Sequence, residues 1–243
     1  MPRAAERAEG KEAAAVLADR RRPFRSRVAR IHATHSYRGV LVLIVCAFVF
    51  ASIASDAGWT TGVLLLLESV TLCAAVWSSG LTSMASKPLI ALLTASVVSA
   101  VGVSIDDRPV LTGIAGIAAA VLAVGTVVAV AVGVVDQDEV NAQSVTGAVC
   151  IYLLFGMIFL FLYTAVALIG SGPFFVQGTD GSRALRLYFS YVTLATLGYG
   201  DYTPSGNLGH TLAIIEALLG QLYLVTVLAL LVSRLRTSHE EER

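Results

Sequence analysis

The run 109–135 carries no Arg or Lys and is almost wholly apolar. That much continuous hydrocarbon must be buried, either in a large soluble core or in a bilayer. The rest of the chain decides between them. Apolar residues make up 56% of the 243 positions and charged residues 14%. A soluble core of that size would need a polar wrapping that this composition does not supply. A membrane helix needs about 20 mostly apolar residues. The stretches 39–55, 58–78, 88–104, 109–135, 144–170 and 208–235 qualify, which predicts an all-α membrane protein of six spans.

Local chemistry punctuates these spans. Asp56-Ala57-Gly58 divides the first from the second. Lys87-Pro88 opens the third and Arg108-Pro109 the fourth, with proline at a favoured first-turn position. Asp136-Gln137-Asp138-Glu139 closes the fourth.

Charge sets the expected orientation. Ten of the seventeen basic residues lie between Arg3 and Arg38. Cytoplasmic flanks carry an excess of Lys and Arg, so the basic tail 1–37 is expected inside. The basic stretch is too long for a signal peptide, so the first span is expected to stay. Six spans return the C-terminus to the cytoplasm, where Arg234 and Arg236 flank the last one. The expectation is a multi-pass protein of the cell membrane with both termini cytoplasmic.

Enzyme chemistry finds no foothold. Cys46, Cys73 and Cys150 each sit inside an apolar run, and the four histidines do not cluster with acids or cysteines. No span presents a nucleophile with a base or a metal-ligand spacing. No enzymatic activity, cofactor or nucleic-acid partner is expected.

The segment 171–207 faces outward on this topology. It contains an amphipathic run, 184–194, preceded by Ser182 as a good N-cap. Eleven residues make a helix of about 16 Å, too short to cross and long enough to dip halfway. Irregular backbone at membrane depth is tolerated only where protein or a water path surrounds it. A re-entrant pore loop meets that condition.

After the short helix comes Thr193-Leu194-Ala195-Thr196-Leu197-Gly198-Tyr199-Gly200-Asp201. This run resembles the pore signature of the potassium channel pore-domain family, and the likeness extends over the last hundred residues. It divides the chain into a tail 1–37, a four-helix region 38–137 and a pore domain 138–243 made of outer helix, pore helix, filter and inner helix. The resemblance implies a homotetramer in the lipid bilayer that passes K⁺ as its transported ion, with no resident cofactor. Carbonyls of Thr196, Leu197, Gly198 and Tyr199 would replace the ion's hydration shell, with the Thr196 hydroxyl as an inner ring. Such a filter alternates left- and right-handed backbone, which Gly198 and Gly200 allow at little steric cost.

The flanking residues take implied roles. Gly220 lies where the family places a hinge glycine; the other reading is a small residue for close helix packing. Gln221 would face the cavity, and Leu224 and Leu228 would form an apolar constriction. Glu216 stands five residues before Gln221, about 140° around the helix, and so would support the filter from behind. Leu197 replaces the usual valine, and Tyr188-Phe189 stand where many relatives carry a tryptophan pair. Tyr188 retains a hydroxyl for Asp201. Phe189 cannot hydrogen-bond Tyr199, a task in which Thr193 would partly substitute.

The fourth span argues against a usual voltage sensor, since moving charge is what couples to membrane potential. Glu68 lies mid-span in the second stretch without an evident basic partner; Ser69 and Thr71 are its candidate hydrogen-bond neighbours. Two other readings stay open. A non-selective cation channel is opposed by Tyr199. A K⁺ uptake transporter subunit is opposed by the single filter loop.

Overall fold

A computed structural model describes residues 37–81, 86–106, 108–137 and 142–241. Among them the regular elements are helices: α1 Arg38–Ile53, α2 Gly58–Ser78, α3 Ser86–Ile105, α4 Pro109–Val135, α5 Ala142–Ile169, α6 Arg183–Leu194 and α7 Gly206–Glu241. The basic tail lies outside the described residues, apart from Tyr37. That residue is fully buried, and its N–H donates to Gln143 Oε1 at 3.0 Å.

Helices α2, α3, α4, α5 and α7 contain stretches long and apolar enough to cross a membrane. The first expected span is shorter. Helix α1 has 16 residues, about 24 Å at 1.5 Å per residue, against a hydrocarbon core of about 30 Å. Asp56 and the turn at 54–57 stop it early. Proline at the start of α4 acts as expected, sitting in its first turn.

The short helix α6 begins at Arg183, and the Ser182 hydroxyl accepts the Leu185 N–H at 3.2 Å. This cap satisfies a donor that a helix start otherwise leaves open. Preceding it, Phe175 forms isolated bridges with Thr179 and Pro204, which tie the loop before α6 to the loop before α7.

Helix α5 is the central staff of the molecule, packing against α1, α4, α6 and α7. Its approach to α4 depends on small residues. A Cβ on Gly116 would stand 3.0 Å from the Phe161 carbonyl oxygen, and one on Gly113 would stand 2.6 Å from Ile169 Cγ1. The main core is aliphatic and includes Leu122, Val130, Leu154 and Met157. A second cluster, of Phe159, Tyr163, Phe174, Phe175 and Phe189, lies beside α6. Helix α7 differs from α5 in burial: 11% of its span is buried, against 56% for α5. It therefore leaves a long apolar face without a partner in the single chain.

Candidate functional site

The loop after α6 is built from backbone. Thr196 N–H donates to the Thr193 carbonyl at 2.9 Å, and Leu197 and Gly198 both donate to the Val192 carbonyl, at 2.9 and 3.3 Å. Positive φ angles fall at Thr196 (59°), Gly198 (54°) and Gly200 (76°), with none at Leu197 or Tyr199. The chain thus alternates handedness over five residues. Glycine accepts this freely, whereas an L side chain there costs about 1–2 kcal/mol. Thr196 bears that cost as the one non-glycine residue of positive φ among the described residues. Its left-handed backbone was not legible from residue type. Residues 195–201 are all exposed on the single chain.

Tyr188 and Phe189 point to different sides. The Tyr188 hydroxyl donates to Asp201 Oδ2 at 2.8 Å, and its ring stacks on Tyr199 with centroids 6.4 Å apart. The accepting carboxylate holds the Tyr188 phenol above its usual range. Gln177 Nε2 donates to the Asp201 carbonyl at 2.8 Å and closes the outer end of the loop. Phe189 turns away into the aromatic cluster, 5.1 Å from Tyr163 and 5.5 Å from Phe175. Thr193 is half-buried.

Behind α6, Glu216 is fully buried. The Tyr163 hydroxyl of α5 donates to its Oε2 at 2.5 Å, and the Ser190 hydroxyl of α6 lies 2.5 Å from Oε1. Ser190 Oγ also lies 2.8 Å from the Gly156 carbonyl oxygen. One carboxylate thus joins α5, α6 and α7. Gly220, one turn further, is pressed against the end of α6: a Cβ would come 2.3 Å from the Leu194 carbonyl oxygen. Gln221 and Leu224 are exposed on the single chain. The Leu228 side chain lies outside the described residues.

Two residues carry more structure than their sequence positions suggested. Arg183 and Arg186 are 5% and 3% exposed. Arg183 Nη1 donates to the Ser55 carbonyl at 3.2 Å and to Thr60 Oγ1 at 3.0 Å; its Nη2 donates to Thr61 Oγ1 at 2.7 Å. Its backbone N–H donates to Asp56 Oδ1 at 2.9 Å. Arg186 Nε donates to Thr164 Oγ1 at 3.0 Å, and Nη1 to the carbonyls of Asp180 and Gly181 at 3.0 and 2.6 Å. The turn between α1 and α2 is thereby fastened to the start of α6. Burial lowers both guanidiniums, Arg186 to about 10, with Asp56 opposing the shift in each case. A signal existed in the sequence. Two arginines three apart in the first turn of a helix share a face and oppose the helix dipole, so they need another reason to be there.

Glu68 is 2% exposed, and its Oε2 has no hydrogen-bond partner among the described residues. Its expected neighbours are engaged elsewhere: Ser69 with the Leu65 carbonyl and Ser96 Oγ, Thr71 with the Leu67 carbonyl.

The filter-like loop, the short helix before it and the long helices on either side fall in one stretch of chain. Residues 147–237 match the ion channel family. The chain is 34% identical over 106 residues to the inward rectifier potassium channel Kirbac3.1 of Paramagnetospirillum magnetotacticum, covering 42% of this chain and 35% of that protein. It is 40% identical over 57 residues to the probable potassium channel protein 2 of Methanocaldococcus jannaschii, covering 22% of this chain and 16% of that one. The chain therefore spans about a third and about a sixth of the lengths of these relatives. No solved structure matches it. Together with the apolar helices, the ion channel match makes this a multi-pass membrane protein.

Proposed function

We propose that the chain is one of four identical subunits of a potassium-selective channel. The carrying observation is the alternation of backbone handedness at 196–200 within the sequence Thr-Leu-Gly-Tyr-Gly. A chain of that form turns successive carbonyls toward one side. A ring of such carbonyls from four chains replaces the hydration shell of K⁺. The names of the two relatives, an inward rectifier potassium channel and a probable potassium channel protein, support the choice of ion.

In this reading α5 is the outer helix, α6 the re-entrant pore helix and α7 the inner helix. The apolar face of α7 supports assembly, because Ile214, Leu218, Leu222 and Val225 are all exposed on the single chain. Neighbouring copies and lipid would cover it. Helix α1 serves as a short first span, and both termini stay in the cytoplasm. The carboxyl-side end of α6 aims its partial negative charge toward the cavity and favours a cation there. Gating is not by a charged fourth helix, since α4 has no Arg or Lys with which to sense potential.

The test is ion flux from proteoliposomes holding the purified chain. K⁺-selective, Ba²⁺-sensitive flux is expected, with selectivity lost in Gly198→Ala. Equal Na⁺ and K⁺ flux in the wild type would favour a non-selective cation channel. An oligomer of other than four chains would remove the proposed pore.

A further inference from the structure

A cavity of about 170 Å³ lies where the start of α6 meets α2, α4 and α5. Asp56, Thr61, Thr112, Thr164, Arg183 and Arg186 supply its polar lining, and apolar residues of α2, α4 and α5 with Gly181 the remainder. It has room for a small oxyanion and several waters.

The electrostatics of this cavity are incomplete. Two guanidiniums are taken almost wholly out of water, which is costly unless the charge is paired. Among the described residues neither has a carboxylate oxygen within ion-pair distance; the ion pair there is Arg108 with Asp106. Asp56 spends Oδ1 on the Arg183 backbone N–H, and Asp180 spends Oδ1 on the Phe174 N–H. The acceptors that Arg183 and Arg186 do have are carbonyls and hydroxyls. Arg186 is 3% exposed, lines the cavity and has no acceptor for Nη2 among the described residues. With Asp56 counted, the lining keeps one net positive charge.

The level of the cavity narrows the ligand. Its walls begin at helix ends, at the turn holding Asp56, the starts of α2, α4 and α6 and the end of α5 at Leu168, and run inward as far as Ala119 of α4 and Phe161 of α5. All of these ends lie on one side of the bundle. Trp59, in the first turn of α2, is 60% exposed at the same level, where aromatic residues mark a membrane–water interface. A phosphate-bearing headgroup in that leaflet, or free phosphate from the adjoining solution, would therefore reach the arginines.

We propose that this cavity is a binding site for a phosphate oxyanion, held by Arg186 Nη2 and Arg183 with help from the threonine hydroxyls. Arginine suits the task because its planar fork matches phosphate oxygens. Binding itself does not depend on the channel reading. If that reading is right, occupancy also acts on the filter, because Arg186 already holds the Asp180 and Gly181 carbonyls just before the pore helix.

The experiment is native mass spectrometry of the full chain, released from vesicles of phosphatidylcholine alone or with phosphatidylglycerol, and separately titrated with inorganic phosphate. Wild type, Arg186→Gln and Thr112→Leu are compared. Thr112→Leu removes a lining hydroxyl, narrows the cavity with an apolar side chain and leaves both arginines in place. The expected result is a retained phosphate species on the wild type, with retention at least tenfold weaker in both variants. Displacement of bound lipid by inorganic phosphate assigns the site to free anion, and lipid retention that phosphate does not displace assigns it to a headgroup. Equal retention by wild type and Thr112→Leu overturns the proposal, even if Arg186→Gln does not fold. So does a wild type that retains neither species.

Discussion

The two ends of this molecule satisfy their polar groups differently. In the amino-terminal helices most hydroxyls turn back on their own backbone, as Ser52 does on Phe48, Thr71 on Leu67, Ser104 on Ala100 and Thr126 on Leu122. Such bonds are made within one helix and do not fix where its neighbour sits. Packing there relies on aliphatic surface and small residues. In the filter-bearing end threonine hydroxyls of α5 and α7 also turn back on their own backbone, at Thr146, Thr164, Thr211 and Thr226, but tyrosine hydroxyls cross between helices. Tyr163 reaches Glu216, Tyr191 reaches the Leu153 carbonyl, and Tyr223 reaches the Ala148 carbonyl at 2.7 Å. A cross-helix bond between buried groups has one good geometry and a high cost when broken. Directional bonds between helices are thus concentrated around the loop at 196–200, while the amino-terminal helices depend on close approach at small residues such as Gly113 and Gly116.

The comparison breaks most visibly at Glu216. Glu216→Ala strands the Tyr163 hydroxyl in a buried site at a cost of about 1–3 kcal/mol and removes the tie to α6, although Ser190 keeps the Gly156 carbonyl as an acceptor. We expect the largest loss of thermal stability in detergent here, together with loss of flux. If the variant melts like wild type, the filter end is not held by this carboxylate. Gly220→Ala comes next. Its Cβ would meet the Leu194 backbone oxygen at 2.3 Å, and backbone cannot rotate aside. Overpacking of this kind costs about 1–3 kcal/mol, and α7 should part from the end of α6. A normal melting temperature with altered open probability would instead favour the hinge reading of Gly220.

Smaller effects sharpen the contrast. Tyr188→Phe removes one exposed hydrogen bond to Asp201 and should alter the carboxyl end of the loop more than the fold. Faster decay of K⁺ current at unchanged melting temperature is the expected readout. The smallest effect belongs to the amino-terminal end. In Gly125→Ala the new Cβ meets Leu72 Cδ1 at 3.4 Å, an ordinary contact. Stability should stay within about 0.5 kcal/mol of wild type, or rise slightly from better helix propensity. A severe defect there would show that the two ends are equally exacting.

Much of this was legible in the sequence. The spans 58–78 and 109–135 coincide with α2 and α4, because charge, proline and glycine mark their ends sharply. The short helix before the filter was legible from Ser182 and its amphipathic run. Glu216 was expected behind α6 because the resemblance puts Gln221 toward the cavity and five residues carry Glu216 to another face. What stayed hidden depends on distant parts of the chain. No local pattern tells that Arg183 reaches residues 55, 60 and 61, across more than a hundred positions. The 16-residue length of α1 follows from where Asp56 is anchored, and that anchor is the same Arg183. The close approach of Gly220 to Leu194 likewise needs the packed pair of helices before it can be seen.

The central claim is that the alternating backbone at 196–200 forms a K⁺-selective path. Its most direct test is the reversal potential of the purified chain in a planar bilayer with K⁺ on one side and Na⁺ on the other. A K⁺-selective path gives a reversal potential displaced far toward the K⁺ equilibrium value. A reversal potential at zero under equal concentrations would contradict it.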